Sequence, residues 1–255
     1  MEAIVAGTSA RLVEVLSGWD TVDTVTVLTF GSDRYDPSFF ISADVYHHGM
    51  VPVADEREQA FSFAAAFESS VDGRKDRFLI DELPVRLEYK PISDVDRALG
   101  PLVGPESGDA LGSTYGFYRL QHAEIAMNRS NWLEVVRRQL SDVPEEFWVQ
   151  RIDALRARME HALGDLTSAV YAEEDLFYHL SLASFTEQVC QLLMAVNRRF
   201  DPPGRRLRAE IMQLAMLPEE FTTRFEYLLG DERSFPRARK RQIAELLARS
   251  LLSIA

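Results

Sequence analysis

Between Gly100 and Gly108 the chain reads Gly-Pro-Leu-Val-Gly-Pro-Glu-Ser-Gly, and the rhythm of its apolar residues changes across that stretch. Glycine and proline punctuate helices and strands alike, so the segment reads as a domain boundary. Before it, alternating apolar and polar residues mark strands. Beyond it nearly everything repeats with a helical period. The expectation is an α+β chain: a mixed α/β domain over residues 1–100, a linker over 101–113, and a helical bundle over 114–255.

Within the first hundred residues, Thr8 to Ser17 reads as an amphipathic helix. Val22-Asp23-Thr24-Val25-Thr26-Val27-Leu28-Thr29-Phe30 is rich in β-branched side chains and predicts a strand that ends at Gly31-Ser32. A second strand runs from Phe39 to His47. Its alternation puts Phe39, Ile41, Ala43 and Val45 on one face and Phe40, Ser42, Asp44 and Tyr46 on the other. Ala54 to Ser69 reads as a helix. Phe78 to Tyr89 reads as an extended region interrupted by Pro84, with Arg86, Glu88 and Lys90 facing away from Val85, Leu87 and Tyr89. The helices expected beyond the linker cover roughly 114–128, 130–140, 145–163, 165–199, 204–216, 218–229 and 235–253.

Composition removes several classes of function. The formal net charge is −12, and such a field repels phosphate, so neither coating of nucleic acid nor binding to an anionic membrane is expected. There is one cysteine, Cys190, hence no internal disulfide framework and no cysteine-based zinc site. No apolar run is long enough to span a membrane. The start, Met1-Glu2-Ala3-Ile4-Val5, lacks the basic and long apolar regions of a signal peptide. A soluble, cytoplasmic protein is the expectation.

The chemistry-bearing pattern is the strand, Gly-Ser, loop and strand with an acidic residue. A Gly-Ser turn lets backbone N–H groups approach a triphosphate, and a carboxylate on the next strand can hold Mg2+ against it. Another carboxylate nearby would complete a two-metal clamp. Phe30-Gly31-Ser32 followed by Ser42-Ala43-Asp44-Val45-Tyr46, with Arg86-Leu87-Glu88-Tyr89 further on, resembles the nucleotidyltransferase superfamily with its polymerase-beta-like core. The stretch from Gln191 to Pro203 is similar to the helical half of a nucleotidyltransferase-like bacterial family. The resemblance implies Gly31, Ser32, Arg34, Ser42 and Asn197 at a nucleoside triphosphate. It implies Asp44 and Glu88 as catalytic ligands of Mg2+, and an acceptor of unknown identity chosen by the helical domain.

The family pattern has two acidic residues two positions apart, and here only Asp44 is acidic, with Ser42 and Tyr46 on either side. Two readings follow. One is transfer of a nucleoside monophosphate to a small molecule or protein; the other is a non-catalytic member of the fold that binds a nucleotide or a partner protein. Glu88 is either the third carboxylate or the ion-pair partner of Arg86 or Lys90. Among other candidates, His47 and His48 point to opposite faces and cannot readily share one ion. Arg198, Arg199, Arg205 and Arg206 form a basic cluster near Asn197, and Glu173-Glu174-Asp175 an acidic run.

Overall fold

The computed structural model describes residues 2–30, 39–103, 112–231 and 235–255. In chain order the elements are α1 (Glu2–Leu16), β1 (Val22–Phe30), β2 (Phe40–His47), α2 (Ala54–Ala60), β3 (Ala65–Ser69), β4 (Lys75–Ile80), β5 (Leu83–Pro91), α3 (Ile92–Val103), α4 (Tyr115–His122) and β6 (Glu124–Asn128). Then come α5 (Trp132–Ser141), α6 (Glu145–Ala172), α7 (Asp175–Val196), α8 (Gly204–Ile211), α9 (Phe221–Leu229) and α10 (Arg237–Leu252). The α+β class is as the change of period predicts. Two compact units result: Met1–Glu106 with Arg119–Val143, and Ser107–Tyr118 with Pro144–Ala255.

The first unit is a six-stranded sheet of order β3-β4-β5-β2-β1-β6. Only β2 and β5 run parallel; the other pairs are antiparallel. A parallel pair needs a crossover, and α2 with the β3–β4 hairpin supplies it. One face of the sheet is apolar: Val25, Ile41, Ala43, Val45, Val85 and Leu87 pack with Leu12 and Leu16 of α1 in one core. Each such buried Leu, Ile or Val stabilises by about 1.5–3 kcal/mol. The other face carries Ser42, Asp44 and Tyr46.

In the first unit α1 begins at Glu2, six residues before the expected Thr8, and four further local readings change. The helix expected over 54–69 stops at Ala60, because Phe61 and Phe67 both stack on Phe78, at 4.9 and 5.5 Å between ring centres. The chain then enters β3, with a bulge where Ala66 takes φ +53°. The extended region around Pro84 is a hairpin that turns at Asp81 and Glu82, both at positive φ, the geometry that matches strand twist. The linker start is helical as far as Val103.

The fourth change moves the domain boundary. Of the helix expected over 114–128, only 115–122 is helical, and Glu124–Asn128 pairs with β1. The Arg137 side chain donates to the carbonyls of Leu120 and Ala123, at 2.8 and 2.5 Å. It thereby satisfies acceptors that a helix C-terminus leaves open. Residues 119–143 therefore belong to the sheet unit.

In the second unit α6 runs unbroken through Gly164, which is exposed. An exposed helical Gly costs only about 1 kcal/mol relative to Ala, less than the packing on the opposite side returns. The break comes at Glu173 in the left-handed conformation, and the Glu174 carboxylate caps α7 by accepting from the N–H groups of Leu176 and Phe177. Phe185, Val189, Leu192 and Leu193 of α7 are fully buried. Phe200 lies against Trp148 and Phe117, and the buried Arg151 bonds Asp201 at 2.6 Å. Among the described residues no helix is long and apolar enough to cross a membrane.

Candidate functional site

Strand register assembles the polar face of the sheet in rows. In one row Glu68, Arg77, Arg86 and Ser42 stand side by side across β3, β4, β5 and β2. In the next stand Lys75, Glu88, Asp44 and Thr26 across β4, β5, β2 and β1. Neighbouring partners point to the same face, so Asp44 and Glu88 are adjacent by construction.

Asp44 has no solvent exposure. A buried carboxylate must be matched by charge and hydrogen bonds. Its Oδ2 accepts from Arg119 Nε at 2.6 Å and from the Tyr46 hydroxyl at 3.3 Å. Arg119 Nη2 also donates to the Ser42 hydroxyl at 3.0 Å. Burial, with the Asp44 charge beside it, pushes the Tyr46 hydroxyl well above its ordinary pKa, so the phenol stays protonated and donates. The Tyr46 ring lies 5.0 Å from that of Trp132 on α5, whose indole N–H donates to Asp96 at 2.9 Å.

The other oxygen, Asp44 Oδ1, lies 3.0 Å from Lys90 Nζ. That is ion-pair distance, although off the line that a hydrogen bond requires. The same ammonium is 3.2 Å from Glu88 Oε2, and Lys75 Nζ is 2.9 Å from Glu88 Oε1. Burial raises the Glu88 carboxyl, but Lys90 and Lys75 outweigh it and hold the pKa below its ordinary value. The ion-pair reading of Glu88 thus describes its surroundings, with Lys90 and Lys75 as partners. Arg86 instead lays its guanidinium over the Phe40 ring at 4.0 Å, and Phe40 stacks on Phe30 at 4.5 Å.

This donor set does not fit Mg2+. The ion needs oxygens at about 2.0–2.1 Å in octahedral array, whereas one carboxylate oxygen of Asp44 faces a guanidinium and the other an ammonium. Lys90 stands between the two carboxylates that would have to close on the metal. Among the described residues no group of three His, Cys, Asp or Glu side chains is placed to hold an ion. Ser42 and Tyr46, the residues flanking Asp44, serve its cluster as hydrogen-bonding hydroxyls.

Gly31, Ser32 and Arg34 lie outside the described residues. Asn197 ends α7 in the second unit. Its amide nitrogen donates to the carbonyls of Leu193 and Met216, and its oxygen accepts from the Met216 N–H at 2.8 Å. Those contacts make it a clamp between a helix end and a loop. In the basic cluster, Arg198 pairs with Glu145 and Arg199 lies 3.7 Å from Glu210. His47 is buried with its Nδ1 against the Gly49 carbonyl, whereas the His48 ring is exposed. Burial, with Glu187 and Asp201 adding to it, pushes the Cys190 thiol up to about 12, so it is inert as a nucleophile. Arg119 escaped the sequence reading. It sits 75 positions from Asp44, in a segment whose helical period says nothing about which strand it meets.

Comparison with known proteins adds a likeness of fold. No family model matches the chain, and no curated protein matches its sequence. Among solved structures, a nucleotidyltransferase-like protein from Exiguobacterium sibiricum 255-15 matches with a TM-score of 0.50. The match covers 97% of this chain and 74% of that one at 11% identity. The fold is nucleotidyltransferase-like. The likeness is one of fold; the side chains that this chain assembles on the polar face of its sheet include Asp44, Glu88, Lys90 and Arg119.

Proposed function

We propose that this chain is a nucleotidyltransferase-fold protein that binds the phosphates of a nucleotide without a divalent cation and does not catalyse metal-dependent transfer. The observation that carries the reading is Lys90 Nζ, 3.0 Å from Asp44 and 3.2 Å from Glu88. Metal-dependent phosphoryl or nucleotidyl transfer relies on positioning and on charge neutralisation by the ions. Here protein cations take the carboxylates that would hold them. Admitting Mg2+ would displace Lys90 and leave Arg119, itself buried, competing with the ion for Asp44. Breaking a buried ion pair costs about 3–5 kcal/mol.

Pyrophosphate release from ATP and the other nucleoside triphosphates, with Mg2+ or Mn2+ and a panel of hydroxyl and amine acceptors, tests the reading. None is expected. Metal-dependent release that disappears in Asp44→Asn would sink it and restore a transferase with Asp44 and Glu88 as ligands.

A further inference from the structure

Away from Asp44, the turn between β4 and β5 lies against α1, and the two enclose a pocket of about 440 Å3. Thr8 stands in its wall, only 4% exposed. Its hydroxyl opens on the pocket and makes no hydrogen bond among the described residues. A buried hydroxyl normally finds a partner, and in a helix the carbonyl one turn back is the usual one. Beside it Gly7 sits in the helix interior, where glycine is unfavourable relative to alanine. No atom lies within 4 Å of where its Cβ would stand, so packing does not demand a glycine there. Its missing side chain leaves that part of the pocket open. The charges around the pocket are of both signs. Arg11 Nη1 donates to Asp81 Oδ2 at 2.8 Å, and the guanidinium lies 4.3 Å from the centre of the Phe63 ring. These contacts hold the fork while its Nε and Nη2 have no acceptor among the described residues. Asp81 Oδ1 and the Glu82 carboxylate likewise have no donor among them. An exposed ion pair of this kind is weak and gives up partners easily.

We propose that this pocket binds a free α-amino acid with an apolar side chain. Such a molecule carries an ammonium and a carboxylate on one carbon. Arg11 and Asp81 present the complementary charges in contact with each other, so one small zwitterion meets both. The planar fork of Arg11 receives the carboxylate, and Asp81 and Glu82 receive the ammonium. The Thr8 hydroxyl gains the hydrogen bond that the helix does not give it. Ile4 and Leu83 offer the side chain an apolar wall. A few polar groups converging on a partly apolar cavity of this size is the general form of a small-molecule site. A plain cation would meet Arg11, and a plain anion would meet Asp81 and Glu82, so the mixed charge selects against both. The pocket shares no residue with the Asp44 cluster, and the two sites stand or fall separately.

Titration calorimetry of the full chain with L-leucine, L-methionine and L-phenylalanine, each alone, tests the site. At least one is expected to bind. For an amino acid that binds, the amide analogue lacks the carboxylate and the deaminated acid lacks the ammonium; leucinamide and isocaproate are the pair for L-leucine. Each analogue should bind at least about tenfold more weakly. Arg11→Gln should weaken the amino acid at least about tenfold, and Thr8→Val about three- to tenfold. Gly7→Leu fills the pocket from its wall and should abolish binding. Gly7 is exposed and Arg11 partly so, and unchanged thermal unfolding will show that these two variants fold. Failure of all three amino acids to bind overturns the proposal. So does binding that Arg11→Gln and Gly7→Leu leave intact, and so does an amide or deaminated analogue that binds as tightly as its parent.

Discussion

Two buried arginine–aspartate pairs sit on opposite faces of the same sheet, and they differ in how completely they are closed. On the apolar face Asp76 receives Arg57 through both oxygens, at 2.8 and 3.0 Å, together with the Tyr89 hydroxyl at 2.7 Å and the Ser69 hydroxyl. Arg57 further donates to the carbonyls of Pro52 and Gly73 and lies over the Tyr89 ring. No polar atom of Asp76 is left over. On the other face Asp44 is equally buried, yet its Oδ1 has only the off-line Lys90 ammonium, which Glu88 shares. One cluster is a self-contained staple between α2 and the β3–β4 hairpin. The other is a chain of alternating charges leading from a buried carboxylate out to solvent. A closed network can serve only stability, whereas an open one can exchange partners.

The sharpest way to break this comparison is Asp76→Ala. It leaves Arg57 buried without its carboxylate, and a loss of about 3–5 kcal/mol is expected in denaturant unfolding. A loss below 1 kcal/mol would show that the staple is not closed. Asp44→Ala should cost less, about 2–3 kcal/mol by the same measurement, because Lys90 can turn to Glu88 and water while Arg119 alone is stranded. Equal losses would remove the distinction between the faces.

Lys90→Met acts on the open cluster alone. Lys90 is partly exposed, but it is the one cation beside the buried Asp44 Oδ1, so its loss should cost about 1–3 kcal/mol, with Arg119 still on Oδ2. The Glu88 carboxyl should then rise toward its ordinary pKa, visible by NMR titration, and Mg2+ should raise the melting temperature of the variant but not of the wild type. A wild type stabilised equally by Mg2+ would contradict the role given to Lys90.

The smallest effects are on pH dependence. Lys90 and Lys75 hold the Glu88 pKa down after burial has pushed it up, so its folded value lies below the unfolded one. Its contribution is present above the unfolded pKa, near 4.3, and is lost as pH falls through the folded value. Glu88→Gln should flatten that acid limb. For His47 burial lowers the pKa, so the unfolded state takes the proton first and stability falls as pH drops below about 6.5. His47→Gln should remove that slope; an unchanged slope would place its origin elsewhere.

Much of this protein was legible in the residues alone. The β-branched run from Val22, the alternation from Phe39 to His47 and the helical periods beyond residue 144 gave the α+β class, because each pattern repeats at the spacing of its own backbone. The same alternation put Asp44 on the face away from Ile41 and Ala43, and Glu88 away from Leu87. Local pattern failed where a short segment had to choose by its neighbours. Ala65–Ser69 and Glu124–Asn128 are strands because Phe78 and β1 wait for them, and an isolated five-residue segment has no period strong enough to say so.

What the sequence determined by itself was the carboxylate and its face. What only the tertiary structure decided was the company that the carboxylate keeps. Register alone makes Asp44 and Glu88 neighbours, and that neighbourhood would suit a metal as well as a salt bridge. Arg119 arrives from α4, and Lys90 lies two positions along β5 from Glu88, so both cations meet at one acid only once the sheet is assembled. Charge acts through space over a few ångströms and not along the chain, so the identity of the cation beside Asp44 had no local signature to read.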